Sequence, residues 1–144
     1  MLAVALAGCT PAEPMPTSAD DYAQQLFEDT NTARKAGGEL GPLTWNDCLA
    51  DKATPRAQTA STQDTLSHER ITPTCTDGNE TGENLSKGNF TPQEIVDKWM
   101  DSAGHQANIL NANFVDAGVG CVPLPNKQPG YACSLVFEGD TGTD

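Results

Sequence analysis

At 144 residues the chain is the size of one ordinary domain with a single core, and too short for two. Its 20 acidic residues against 8 basic ones give a net charge of −12 with no basic stripe, which excludes DNA and RNA as partners. The acids are spread along the chain rather than gathered in a run, as on a solvated surface.

Residues 1–8 are small and apolar, too few to span a bilayer, and read as the end of a signal-peptide hydrophobic region. Leu6-Ala7-Gly8-Cys9 then looks like a bacterial lipobox, in which the signal is cut before the cysteine. Cys9 is therefore expected to carry lipid and to anchor the protein to a membrane outside the cytoplasm. Residues 9–18 hold Pro11, Pro14 and Pro16 and read as a stiff, extended tether.

The domain is expected over residues 19–138. Tyr22, Leu26, Thr30 and Ala33 share one stripe of a helix over 19–36, with acids early and Arg34 and Lys35 late, and Gly37-Gly38 is expected to stop it. Leu49, Ala53, Ala57 and Ala60 mark a second helix that Pro55 should kink or split. Between 64 and 90 periodicity is lost among Gly, Asn, Thr and Pro, so loop with short strands is expected. A helix then starts at Thr91 as N-cap, with Pro92 in its first turn and Glu94 completing a capping box. It should bury Ile95, Val96, Trp99 and Met100 and end near Ser102, with Gly104 as the left-handed residue of the corner and His105 opening a second short helix. Trp45 and Trp99 read as core, and Asn84, Asn108 and Asn111 as loop ties. Residues 139–144 read as a flexible tail.

With Cys9 set aside, Cys48, Cys75, Cys121 and Cys133 allow three pairings. A hairpin centred on Lys127 puts Cys121 opposite Cys133, Val119 opposite Leu135 and Ala117 opposite Phe137, all on one face. One register thus serves a disulfide and a core together, leaving Cys48 to pair with Cys75. A four-cysteine zinc site is the weaker reading, because none of the spacings is C-x2-C.

Taken in order, Asn31 and Arg34, "LTWN" (43–46), "LSH" (66–68), "GENL" (82–85), "IVDKWMDSAGHQANIL" (95–110) and "FVDAGVGC" (114–121) resemble the CAP superfamily of cysteine-rich secretory, antigen 5 and pathogenesis-related 1 proteins, in its short bacterial SCP-like form. The resemblance covers about residues 20–138. It implies an α+β fold, a three-layer α-β-α sandwich with a small antiparallel sheet, and a cleft lined by His68, Glu83 and His105. A second acid found in many eukaryotic relatives has no counterpart here, the nearest positions being Asp101 and Ser102, and Gln106 stands where the bacterial form usually has arginine.

Two neutral imidazoles and a carboxylate suit a divalent cation, zinc being the first to test. A metal-bound water could hydrolyse a substrate if a spare carboxylate served as base. Ser67 beside His68, and Ser102 before His105, lack the G-x-S-x-G elbow of a serine hydrolase. The resemblance implies a binding or interaction module at the bacterial cell envelope, its ligand a lipid, a peptide or cell-wall material. The alternative is a metal-assisted hydrolase of peptide or cell wall.

Overall fold

Three helices cover one face of a four-stranded sheet and a single helix covers the other, in a computed structural model that describes residues 13–142. Cys9 and the signal-like segment lie outside the described residues. In chain order the elements are α1 (Ala19–Gly38), β1 (Thr44–Trp45), α2 (Asp47–Thr62), β2 (Glu80–Gly88), α3 (Pro92–Met100), α4 (Ala103–Ile109), β3 (Phe114–Pro123) and β4 (Tyr131–Gly139). The expected α-β-α sandwich is the fold observed. The sheet runs β1-β3-β4-β2 and is mixed rather than wholly antiparallel, because the short β1 lies parallel to β3.

The hairpin of β3 and β4 forms in the expected register, Cys121 opposite Cys133 and Val119 opposite Leu135, and both expected disulfides, Cys121–Cys133 and Cys48–Cys75, are present. Alternation along β3 turns Ala117, Val119 and Cys121 toward α1 and α3, where Leu26, Trp99 and Phe137 complete the main core. Gly118 and Gly120 face the other way. A Cβ at Gly118 would collide with the backbone of Leu49 and Ala50, and one at Gly120 with Thr54, so these glycines let α2 lie directly on β3.

Several local expectations are corrected. α1 continues through Gly37 and Gly38, whose missing side chains make room for Leu110 and Leu40, and the left-handed residue that ends it is Glu39 at φ 53°. Pro55 does not split α2: it sits on the exposed side of the helix, so water can reach the Asp51 carbonyl that its ring leaves without a donor. The capping box at Thr91 and Glu94 forms. α3 ends at Met100, and the corner is made by the extended backbone of Ser102, while Gly104 lies inside α4 without a positive φ. Residues 139–142 are no loose tail, since Gly139 closes β4, Asp140 N–H donates to the Asn113 carbonyl and Thr141 N–H to Asn79 Oδ1.

The largest difference is β2, one continuous strand of nine residues where loop with short strands was expected. Its sequence, ETGENLSKG, has little strand propensity. Pairing with the central β4 along its whole length holds it in place.

The part of the tether that is described, Glu13–Ser18, runs beside α1, with the Glu13 carboxyl facing that of Asp29. One oxygen of each is buried without a donor. Burial first, then the Glu13 charge, pushes Asp29 up to about 6, against the hydrogen bond from Gln25. A raised carboxyl favours the folded, docked state below its unfolded value and loses that contribution as pH rises through about 6. Amide exchange in residues 13–18 should therefore slow as pH falls from 7 to 5, after correction for intrinsic rates, and Asp29→Asn should remove that dependence; a pH-independent segment in the native chain would contradict it.

The Cys48–Cys75 bridge ties the start of α2 to the 64–79 segment. Replacing both cysteines with alanine should lower stability in urea by about 3 kcal/mol and speed amide exchange first in that segment.

Candidate functional site

Where β2 forms the free edge of the sheet, the 68–73 segment rises on one side of it and α4 on the other, enclosing a cleft of about 630 Å³. His68 stands on the first wall, His105 on the second, and Glu83 at the floor. Sequence reasoning thus named three residues that the fold does bring together. Ser102 also lines the cleft, while Asp101 caps the end of α3 and stays exposed.

Glu83 is almost wholly buried. Arg56 of α2 grips it with two parallel bonds, Nε to Oε2 and Nη2 to Oε1, both 2.9 Å. Ser134 Oγ of β4 donates to Oε2 at 2.9 Å, and His68 Nδ1 lies 3.0 Å from Oε1. Burial raises the carboxyl's pKa, but the bonds from Arg56, His68 and Ser134, with the Arg56 charge, outweigh it and hold Glu83 below the usual carboxylate range. An ionised Glu83 only accepts, so His68 Nδ1 carries the hydrogen, and in the neutral ring Nε2 keeps the free lone pair.

This geometry corrects the expectation that Glu83 would be a direct metal ligand. Its oxygens are filled, and among the described residues no group of three or more His, Cys, Asp and Glu side chains is placed to hold a metal ion. Glu83 instead orients a histidine, as the outer carboxylate of a carboxylate–histidine pair does.

His105 enters from the third residue of α4, its ring centroid 6.4 Å from that of His68 and 6.3 Å from that of Trp99. Burial first, then the nearby His68, lowers its pKa below that of a free imidazole, so the ring is neutral at pH 7. Trp99 is core as expected, donating Nε1–H to the Leu85 carbonyl, and forms the back of the pocket around His105. Asn84 and Asn108, read from sequence as loop ties, lie in β2 and α4 instead. Asn108 Nδ2 donates to the Glu83 carbonyl and to Asn84 Oδ1, and Asn84 Nδ2 donates to the His105 carbonyl, fastening α4 to the strand.

Arg56 and Ser134 were missed. Arg56 falls on the buried stripe of Leu49, Ala53, Ala57 and Ala60, and an arginine on an apolar helical face is a legible sign of an internal acid. Ser134 carries no such sign, because β4 is central and buried on both faces.

The profile of the cysteine-rich secretory protein family, CAP, matches residues 27–137. The uncharacterised protein YkwD of Bacillus subtilis is 35% identical over 118 residues, covering 74% of this chain and 45% of its own. A cysteine-rich secretory protein of Staphylococcus aureus superposes with a TM-score of 0.64 at 22% identity, over 85% of this chain and 40% of that one. An extracellular protein of Bacillus anthracis containing an SCP domain gives 0.66 at 20% identity, over 89% and 45%. The chain spans less than half the length of each of these relatives.

Replacing Arg56 by methionine should cost about 3–5 kcal/mol, because it leaves an unpaired buried carboxylate. A second change, Glu83→Leu, should restore part of that loss in urea unfolding. The depressed Glu83 contributes its stability in full above the ordinary carboxylate range and loses it as pH falls through its lowered pKa. The double variant should lack that acid limb, and an unchanged acid limb would contradict the assignment.

Proposed function

The chain belongs to the cysteine-rich secretory protein (CAP) family, and from that premise we propose that it is a binding module at the bacterial cell envelope whose cleft holds a divalent cation between His68 and His105. The observation that carries the reading is the Glu83–His68 bond, which turns one free imidazole nitrogen outward while a second neutral imidazole stands opposite. Zinc is the first candidate, with water in the remaining positions. Two rings on one tetrahedral zinc have centroids about 5 Å apart, so the pair must close by about 1 Å. His68, whose side chain is 54% exposed, has the freedom to do so.

Binding is favoured over hydrolysis by the state of the carboxylates. A general base for water needs an accessible carboxylate near the ion. Glu83 is fully bonded and held ionised, and the exposed Glu69 lies 3.2 Å from Arg56 Nη1. An extracytoplasmic location is supported by the two disulfides and by relatives described as secretory and extracellular. Attachment through lipid at Cys9 is part of the same proposal, with a membrane as partner and a lipid, peptide or cell-wall component as ligand.

Calorimetry with zinc on the purified protein checks the cation. His68→Ala and His105→Ala should each abolish measurable binding, and Glu83→Gln, which loosens the orienting bond, should weaken it by about 10–100-fold. Equal affinity in all three variants would overturn the site. Mass measurement of the mature N-terminus checks the anchor, since an unmodified Cys9 overturns it.

A further inference from the structure

β2 is an edge strand, and part of its outward side is already bonded. In an antiparallel pair alternate residues turn both main-chain groups away from the partner strand. The Glu83 carbonyl accepts from Asn108 Nδ2 at 3.2 Å and the Leu85 carbonyl from Trp99 Nε1 at 3.0 Å, so 83 and 85 belong to the outward set, and Thr81 with them. The N–H and carbonyl of Thr81 and the N–H of Glu83 are left facing out, on the stretch of β2 that forms the cleft floor. The Thr81 hydroxyl is turned aside and donates to the Ile71 carbonyl, which steadies the adjacent wall.

A donor, an acceptor and a second donor in strand geometry form a template for another strand. A cleft of this size, open on one side, has room for it. The charge points to one kind of occupant. Arg70 lies on the same wall as His68 and is exposed, with no ion-pair partner among the described residues, whereas the acid beside it on that wall, Glu69, is paired with Arg56 at 3.2 Å.

We propose that the cleft takes an extended peptide as an added strand on β2, held by the main chain of Thr81 and the Glu83 N–H, with an acidic side chain of the peptide on Arg70. The inference rests on the reading of this cleft as the ligand site and names the ligand class. Main-chain pairing supplies the affinity, so a peptide of generic strand-forming sequence is a sufficient probe.

The test is an amide NMR titration of the full chain with an acetylated and amidated hexapeptide of valine and threonine carrying one central aspartate. The Thr81 and Glu83 amides should shift and exchange more slowly. A copy N-methylated where it would donate to the Thr81 carbonyl should bind about tenfold more weakly. Arg70→Gln should weaken the aspartate peptide to the level of its asparagine copy. Equal binding of the methylated copy, or Thr81 and Glu83 amides that stay still, overturns the proposal. Shifts of the same amides on concentrating the protein alone would identify a second copy as the occupant and overturn it too. A zinc titration read at the imidazole resonances separates the two readings. Zinc shifts without peptide binding remove only the added strand, and peptide binding with unmoved imidazoles removes only the cation.

Discussion

A carboxylate buried on the inner side of an edge strand is the constraint around which the rest of this molecule is arranged. Glu83 is 7% exposed, and an ionised group so placed is tolerated only with a full set of donors. Those donors come from three places far apart in sequence: Arg56 on α2, Ser134 on β4 and His68 on the segment between α2 and β2. Satisfying one side chain therefore fixes a helix against one face of the sheet, an edge strand against the central strand, and a wall of the cleft. Arg56 extends the same net by donating Nη2 to the Ser67 carbonyl at 3.1 Å, which holds the backbone immediately before His68.

The opposite wall depends on a second buried cation used in another way. Arg34 of α1 meets no acid; its guanidinium donates to the carbonyls of Gly41, Ile109, Asn111 and Phe114. These are the loop after α1, the end of α4, the turn that follows and the start of β3. One side chain collects carbonyls that lie at helix and strand ends. Because α4 carries His105, the spacing of the two imidazoles follows from two independent arginine clamps joined by the asparagine ladder of 84 and 108.

What could be read in the sequence divides along the same line. The capping box at Thr91, the stripe of α1 and the hairpin register were legible, because each is decided by residues close in sequence or by a single alternation. His68, Glu83 and His105 were legible as a set only through an ordered family pattern, since nothing local to "LSH" or "GEN" says that they meet. β2 was illegible. Its Glu83, Asn84 and Ser86 are poor strand formers that are buried and paired by β4, α2 and α4, so tertiary contacts overrode propensity. The corner at Ser102 was misplaced by two residues because Gly104 offered a left-handed turn that the chain does not use.

Charge also shapes the outside of the protein. Of 8 basic residues Arg34 and Arg56 are enclosed, as are the acids Glu83 and Glu138, so the net charge of −12 is borne by the surface. Against such a field an exposed cation matters by where it stands, and Arg70 stands on the cleft wall beside His68. The edge strand below it would be an aggregation hazard if it were open throughout. Asn108 and Trp99 close the carbonyls of Glu83 and Leu85, so that at the floor of the cleft the open groups are those of Thr81 and the Glu83 amide. The devices that protect the edge are thus the same ones that leave a short template at the floor of the cleft, under the wall that carries Arg70.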